Sequence, residues 1–385
     1  MSAEIHGKCD SKFESVANVL ARSIQTDADL GASFSATIDG ETVIDIWGGH
    51  LDEARTSSWQ EDTIVNVYST TKTMSFLCAL ILADRGLLDF DNNVAEYWPE
   101  FAQNGKTGVK VWHIMDHAAG LSGLDQATTP ADLYDWDKIT GMLAAQKPWW
   151  EPGTASGYHA ITQGFLIGEL VRRITGKSIG QFFREEIAEP IDADFHIGVP
   201  EEHFPRIADL IPSQGSETSL SGTGGADSIA TRTFASPSVN ALTSRTSEWR
   251  KAEIPAANGH GNARSVAKIQ AYLACHGKVG DRRLFSEETA QSVMKERISG
   301  IDLVLDMQQS FGLGFGLNNP EAPLSPNKNT CFWGGWGGSA IIIDQDARAS
   351  IAYVMNKMET GLAGDMRSAN LIGAFYQAIG TSASP

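Results

Sequence analysis

Apolar and polar positions divide the chain into a helix and hairpin, a long apolar helix, a helical middle and a strand-rich end. Phe13, Val16, Ala17, Leu20 and Ile24 recur at helical spacing, so an amphipathic helix is expected from Phe13 to about Ile24. Two strand-like runs follow, Ala32 to Ile38 and Thr42 to Trp47. The Asp39-Gly40 pair between them favours a tight hairpin turn. A β-branched run from Ile64 to Val67 then leads into Ser69-Thr70-Thr71-Lys72. The segment beyond carries apolar Met74, Leu77, Leu80 and Ile81 and reads as a helix capped by Gly86.

Past Gly86 the pattern changes to helices and loops. Val109 to His117 forms a short element that ends in the turn Ala118-Ala119-Gly120-Leu121-Ser122-Gly123. Trp149-Trp150-Glu151-Pro152-Gly153 opens a loop that carries Ser156-Gly157-Tyr158-His159-Ala160. Ile161 to Thr175 puts Phe165, Leu166, Leu170, Val171 and Ile174 on one helical face and closes at Gly176. A further helix with Ile179, Phe182, Phe183 and Ile187 stops before Pro190, and Pro212 to Ser247, rich in Ser, Thr and Gly, reads as a mobile loop.

Helical signals return from Ser265 to Cys275 and after Ser286. The runs Ala340 to Ile343 and Ile351 to Met355 are apolar without alternation, the pattern of strands covered on both faces. A final helix from about Asp365 to Ile379 is expected to cover one face and the N-terminal helix the other. The predicted fold is therefore α/β with a helical insert. Residues 1–86 and 248–385 build a sheet domain, and residues 87–247 form a second, mostly helical domain.

Composition narrows the function. With 385 residues, 42% hydrophobic and 20% charged, the chain is an ordinary globular protein. A net charge of -17 argues against nucleic acid or an anionic membrane as partner and repels anionic substrates. No run is apolar over the length of a membrane helix. Met1 to Lys8 lacks the apolar core of a signal peptide, and Cys9, Cys78, Cys275 and Cys331 have neither metal-ligand nor redox spacing. A reduced, cytoplasmic setting is the expectation.

The candidate chemistry begins at Ser69. Lys72 stands three residues on, on the same helical face, within reach of the Ser69 hydroxyl. The positive end of the helix dipole and partial burial both disfavour an ammonium there, which suits a lysine acting as a neutral base. The plainer alternative is a helix-capping serine and a solvated lysine. His113 and His117 lie four apart but have no third ligand nearby, so they read as structural and no metal is expected. Gly176-Lys177-Ser178-Ile179-Gly180 matches the Gly-x-Ser-x-Gly elbow; yet a helix precedes it where that elbow needs a strand, so Ser178 reads as the cap of the next helix.

Three stretches in order then form a set: Ser69-x-x-Lys72, Tyr158 in Gly157-Tyr158-His159, and Trp333-Gly334-Gly335 ahead of a buried strand. Together they resemble the serine β-lactamase and penicillin-binding fold, in particular the class C-like carboxylesterases of family VIII. The resemblance implies an antiparallel sheet flanked by helices, with Ser69 as the acyl-accepting nucleophile, Lys72 in its activation and Tyr158 as proton shuttle. Trp333 stands where the lactamases usually carry a lysine or histidine, and an indole cannot hold a substrate carboxylate. Trp336-Gly337-Gly338 repeats the triplet, so the register is open; the first copy leaves the Trp336 N–H to join that of Ser69 in an oxyanion hole. Asn258 and His260 lie in a stretch also similar to these esterases, without an evident role.

If these assignments hold, Trp149, Trp150, Trp333, Gly334 and Gly335 surround the substrate, and aromatic lining suits uncharged groups. The expected activity is hydrolysis of small neutral esters, with short to medium acyl chains, and without a cofactor. A promiscuous β-lactamase, an amidase and an acyltransferase would use the same residues. A ligand-binding or self-assembling scaffold is the non-enzymatic alternative.

Overall fold

The computed structural model describes residues 4–213, 220–319, 321, 323–362 and 364–380. Asp39 and Gly40 both adopt the left-handed conformation, with φ of 53° and 83°, as a tight primed hairpin turn requires. The turn joins Gly31–Ile38 to Glu41–Gly49 within a nine-stranded antiparallel sheet. From one edge the order is His6–Cys9, Glu41–Gly49, Gly31–Ile38, Ala349–Met355, Ala340–Asp344, Thr330–Gly334, Phe315–Leu317, Gln308–Gly312 and Ile298–Ile301. The two ends of the chain therefore meet at the sheet's centre, where Gly31–Ile38 pairs with Ala349–Met355. Every residue of Ala340–Asp344 and Ala349–Met355 is buried, as their unbroken apolar pattern predicts.

The covering helices differ from expectation. The N-terminal helix Glu14–Gln25 and the C-terminal helix Met366–Ile379 pack side by side on one face, where Phe13 and Phe375 stack at 5.3 Å. The helix Ala263–Ala274 covers the other face. Strand alternation separates the two: Tyr353 reaches Asp29 on the terminal-helix side, while Ser33, paired with the next residue Val354, accepts from Ala263 N at 3.2 Å. Small buried residues on the covering helix, Ala263, Ala267, Ala271 and Ala274, let it sit close to the sheet.

The helix Lys72–Asp84 is buried on all sides from Lys72 to Leu82, as befits an element that is apolar all round. It packs against Thr162–Thr175 and Ile179–Phe183. The stretch read as loop from Pro212 to Ser247 contains Ile229–Ala235, a 3-10 segment Ala241–Arg245 and the start of Ser247–Lys251. Its loop-like polar residues are caps: Ser228, Asn240 and Thr246 each accept a backbone N–H at a helix start. Residues 214–219 of that stretch lie outside the described residues. Among the described residues no helix is long and apolar enough to cross a membrane.

Candidate active site

The strand Ile64–Asn66 pairs with His260–Gly261, and Val67 N continues the contact by donating to Gly259 O at 2.9 Å. Tyr68 then takes φ of 42°, a left-handed conformation that costs a bulky residue about 1–3 kcal/mol. Packing holds it there: its ring lies against Trp249 and Trp336, and its hydroxyl donates to Ala241 O at 3.3 Å. One 3-10 turn, Tyr68–Thr71, carries Ser69, and the α-helix starts at Lys72. The predicted helix N-terminus is thus a tighter turn that brings Lys72 back over Ser69.

Lys72 is fully buried, and Nζ lies 3.1 Å from Ser69 Oγ and 3.1 Å from the Tyr158 phenol oxygen. It also donates to Ala160 O at 2.7 Å and Ala256 O at 2.9 Å. Carbonyl oxygens only accept, so two of its N–H bonds are committed to them. The remaining tetrahedral position faces Ser69 and Tyr158. Burial holds the Lys72 pKa well below its usual 10.5, and a neutral amine puts its lone pair in that position.

Tyr158 is hydrogen-bonded to Ser69 Oγ, closing a triangle of three polar atoms. Its backbone N–H donates to Asp302 Oδ1 at 3.0 Å. Burial raises the phenol pKa and the negative charge of Asp302 adds to the rise, while the hydrogen bond to Ser69 opposes it. The His117 ring lies 5.0 Å away, edge to face.

The Ala256 carbonyl is held by a bracket that the sequence left without a role. Asn258 Oδ1 accepts from Ile254 N at 2.8 Å, and its Nδ2 donates to Trp249 O at 2.8 Å and Ala252 O at 2.5 Å. Asn66 Nδ2 ties Ala257 O to the entry strand at 2.8 Å. Gly164 permits the close approach of this loop, because a Cβ there would overlap Ala256 N. His260 is buried, its pKa lowered to about 3 by desolvation, and its Nδ1 bonds Asn258 O at 2.8 Å. Both residues frame the lysine site without entering it.

The first Trp-Gly-Gly triplet borders the serine. A Cβ at Gly335 would overlap Val67 O and Ser339 Oγ and come within 3.2 Å of Ser69 N. The second triplet forms the turn to the next strand, with Gly338 N donating to Gly335 O at 3.0 Å and Gly337 at φ of 97°. A small cavity, partly open to solvent, lies beside Ser69 and Tyr158. Its walls include Tyr68, Ile161, Leu220, Val239, Trp336 and Leu362.

The other tryptophans sit elsewhere. Trp333 is buried behind Tyr158, stacked on His117 at 5.5 Å. Trp149 donates to Asp125 at 2.7 Å beneath the Arg232 guanidinium, and Trp150 donates to Ala155 O at 2.9 Å with its ring against Gly157. Trp149, Trp150, Trp333, Gly334 and Gly335 are not on the walls of this cavity. The aliphatic wall residues escaped sequence reasoning because Leu220, Val239 and Leu362 are isolated apolar positions in irregular segments.

Ser178 and the histidine pair are held by local partners. Ser178 caps the helix Ile179–Phe183, accepting from Gln181 N at 3.2 Å and donating to Glu253 at 2.6 Å. His113 accepts from Lys110 N, while His117 lies past the helix Val111–Met115 with φ of 59° and accepts from His159 N at 3.0 Å. Among the described residues no group of three His, Cys, Asp or Glu side chains could hold a metal ion.

Known proteins carry the same architecture. The sequence profile of the β-lactamase family matches residues 20–374. Esterase/beta-lactamase LipL of Mycobacterium tuberculosis is 34% identical over 363 residues, covering 92% of this chain and 83% of that protein. A crystal structure of a family VIII carboxylesterase superposes with a TM-score of 0.89 at 39% identity, covering 97% of this chain and 100% of the other. A penicillin-binding protein homologue from Caulobacter crescentus gives a TM-score of 0.90 at 38% identity, with 97% and 100% covered. On the match along most of its length, the chain belongs to the β-lactamase family.

Proposed function

We propose that the protein is a serine carboxylesterase that cleaves neutral esters of short to medium acyl chains through an acyl-enzyme on Ser69. The observation that carries this reading is the triangle of Ser69 Oγ, Lys72 Nζ and the Tyr158 phenol, with Lys72 anchored on two carbonyls. Its likeness to a family VIII carboxylesterase and to a protein named as an esterase points the same way.

Ser69 Oγ attacks the ester carbonyl carbon and gives up its proton toward Tyr158, whose own proton passes to the Lys72 lone pair. The oxyanion rests on the backbone N–H groups of Ser69 and Trp336. As the tetrahedral intermediate collapses, Tyr158 protonates the departing alkoxide and regains a proton from Lys72. The acyl-serine remains. Water then attacks it by the same relay in reverse, restoring Ser69 and releasing the acid.

The cavity walls favour an uncharged acyl or alkyl group, since among the described residues no cationic side chain lines them. Turnover of p-nitrophenyl acetate, butyrate and octanoate tests this, with nitrocefin for the β-lactam activity in the name of one relative. Butyrate or octanoate is expected to exceed nitrocefin in kcat/KM by about 100-fold or more, for want of a carboxylate partner. Nitrocefin turnover above that of all three esters would replace the esterase reading by a β-lactamase one.

The oxyanion hole makes its own prediction. Gly335→Ala is expected to push the strand edge off Ser69, lowering kcat by about 10-fold or more with KM little changed. Kinetics on p-nitrophenyl butyrate check it, and an unchanged kcat would remove the Gly335–Trp336 edge from the site.

A further inference from the structure

We infer that Asp302 is a positioning residue for this site: one carboxylate oxygen fixes where Tyr158 stands, and its buried charge keeps that tyrosine a neutral relay. The inference rests on the acyl-enzyme reading of Ser69 given above. Asp302 is fully buried at the end of the edge strand Ile298–Ile301. Its Oδ1 accepts three backbone N–H groups, from Tyr158 at 3.0 Å, Val304 at 2.9 Å and Leu305 at 2.9 Å. Leu303 N adds a bond to Ser156 O at 2.9 Å, so the Tyr158 loop is clamped to this turn on both sides of the carboxylate.

A clamp of this kind does not require a charge. An asparagine would accept the same three bonds through its amide oxygen. The aspartate instead buries a second oxygen, Oδ2, with no hydrogen-bond partner, an arrangement that is costly for a carboxylate. What the charge does is electrostatic. It opposes a phenolate on Tyr158, so a proton taken from Ser69 is passed through the tyrosine to the lysine instead of leaving the tyrosine ionised.

The other titratable groups around the pair do not supply this bias. His117 and His159 are both kept neutral by burial. The neighbouring sheet strands present Phe311 and Trp333 to this region. Asp116, pushed up to about 7 by burial, is bonded to Gly314 N at 2.6 Å.

The test is the pH dependence of Ser69 labelling by a fluorophosphonate, which reads nucleophile activation without relying on ester specificity. Thermal unfolding is measured alongside. Asp302→Asn is expected to keep the melting temperature close to wild type and to shift the acid limb of the labelling rate to lower pH by about half a unit or more. The limb reports loss of one proton from the hydrogen-bonded Tyr158–Lys72 pair, and removing the negative charge beside Tyr158 makes that proton easier to lose. The plateau rate falls about three-fold or more for the same reason. Asp302→Ala, which also loses the clamp, lowers both the melting temperature and the rate. Should Asp302→Asn not fold, Asp302→Ser retains an oxygen acceptor without the charge and is read in the same way. A labelling profile for the neutral variant that superimposes on wild type would overturn the inference and leave Asp302 a turn anchor. Wild type that labels at Ser69 but turns over no ester sinks the esterase reading alone; no labelling of wild type at any pH sinks both.

Discussion

Ser69→Ala is expected to lower kcat on p-nitrophenyl butyrate by about 10³-fold or more, with a folded protein of nearly unchanged melting temperature. The loss should be this large because the neighbouring threonine hydroxyls cannot substitute. Thr70 Oγ1 is bonded to Ser339 at 3.0 Å, Thr71 Oγ1 accepts from Gly259 N at 2.8 Å, and Thr73 Oγ1 donates to Thr70 O at 2.8 Å. Each is held by the fold and turned from the cavity. Ser178→Ala is the matched control. It removes a helix cap and the bond to Glu253, so it costs about 1 kcal/mol of stability and leaves kcat near wild type. Retained activity in Ser69→Ala, or loss confined to Ser178→Ala, would show that the nucleophile is misassigned.

The contrast between these two serines shows what the sequence could and could not convey. Both precede helices, and each sits in a recognisable motif. Local pattern separated them, because a β-branched run precedes Ser69 and a helix precedes Ser178. The hairpin at Asp39-Gly40, the two buried central strands and the Ser178 and Ser286 caps were legible on the same basis, since each depends on a few adjacent residues. Which helix covers which face was not. The two terminal helices are amphipathic enough to pack on each other as well as on the sheet, and nothing within either segment says so.

The site divides along the same line. Ser69 and Lys72 are a local pair, joined by one helical turn. Tyr158 came from order along the chain. The groups that tune these three are remote in sequence and ordinary in type: Ala160 and Ala256 contribute only carbonyls, Asn258 only braces a turn, and Asp302 acts from a strand end. No side-chain motif can mark a backbone oxygen. The tryptophans misled for the opposite reason. Their size suggested a pocket lining, whereas Trp149 and Trp150 pack under loops and Trp333 backs the tyrosine; the wall combines single aliphatic residues with Tyr68, Tyr158 and Trp336.

Lys72→Arg is expected to abolish ester turnover, by about 10³-fold or more in kcat/KM, at every pH at which the protein is folded. The two carbonyls of Ala160 and Ala256 and the two hydroxyls leave a tetrahedral site for one nitrogen, and a planar guanidinium neither fits it nor loses its proton. In wild type the base works as the free amine, so kcat/KM should fall as pH drops through the folded-state pKa of Lys72, which burial sets well below 10.5. Stability carries the matching sign. Between that lowered pKa and 10.5 the unfolded chain binds one proton more at this residue than the folded one, so this group makes the unfolding free energy rise with pH across the window. A wild-type kcat/KM that stays flat at acid pH while the fold persists would deny Lys72 the role of base, and so would appreciable turnover by Lys72→Arg. The proton would then leave Ser69 through Tyr158 alone, a phenol that burial and Asp302 both hold against ionisation. That alternative asks the poorer base to act without its partner, and for this reason the lysine substitution, more than any other, decides how the serine is activated.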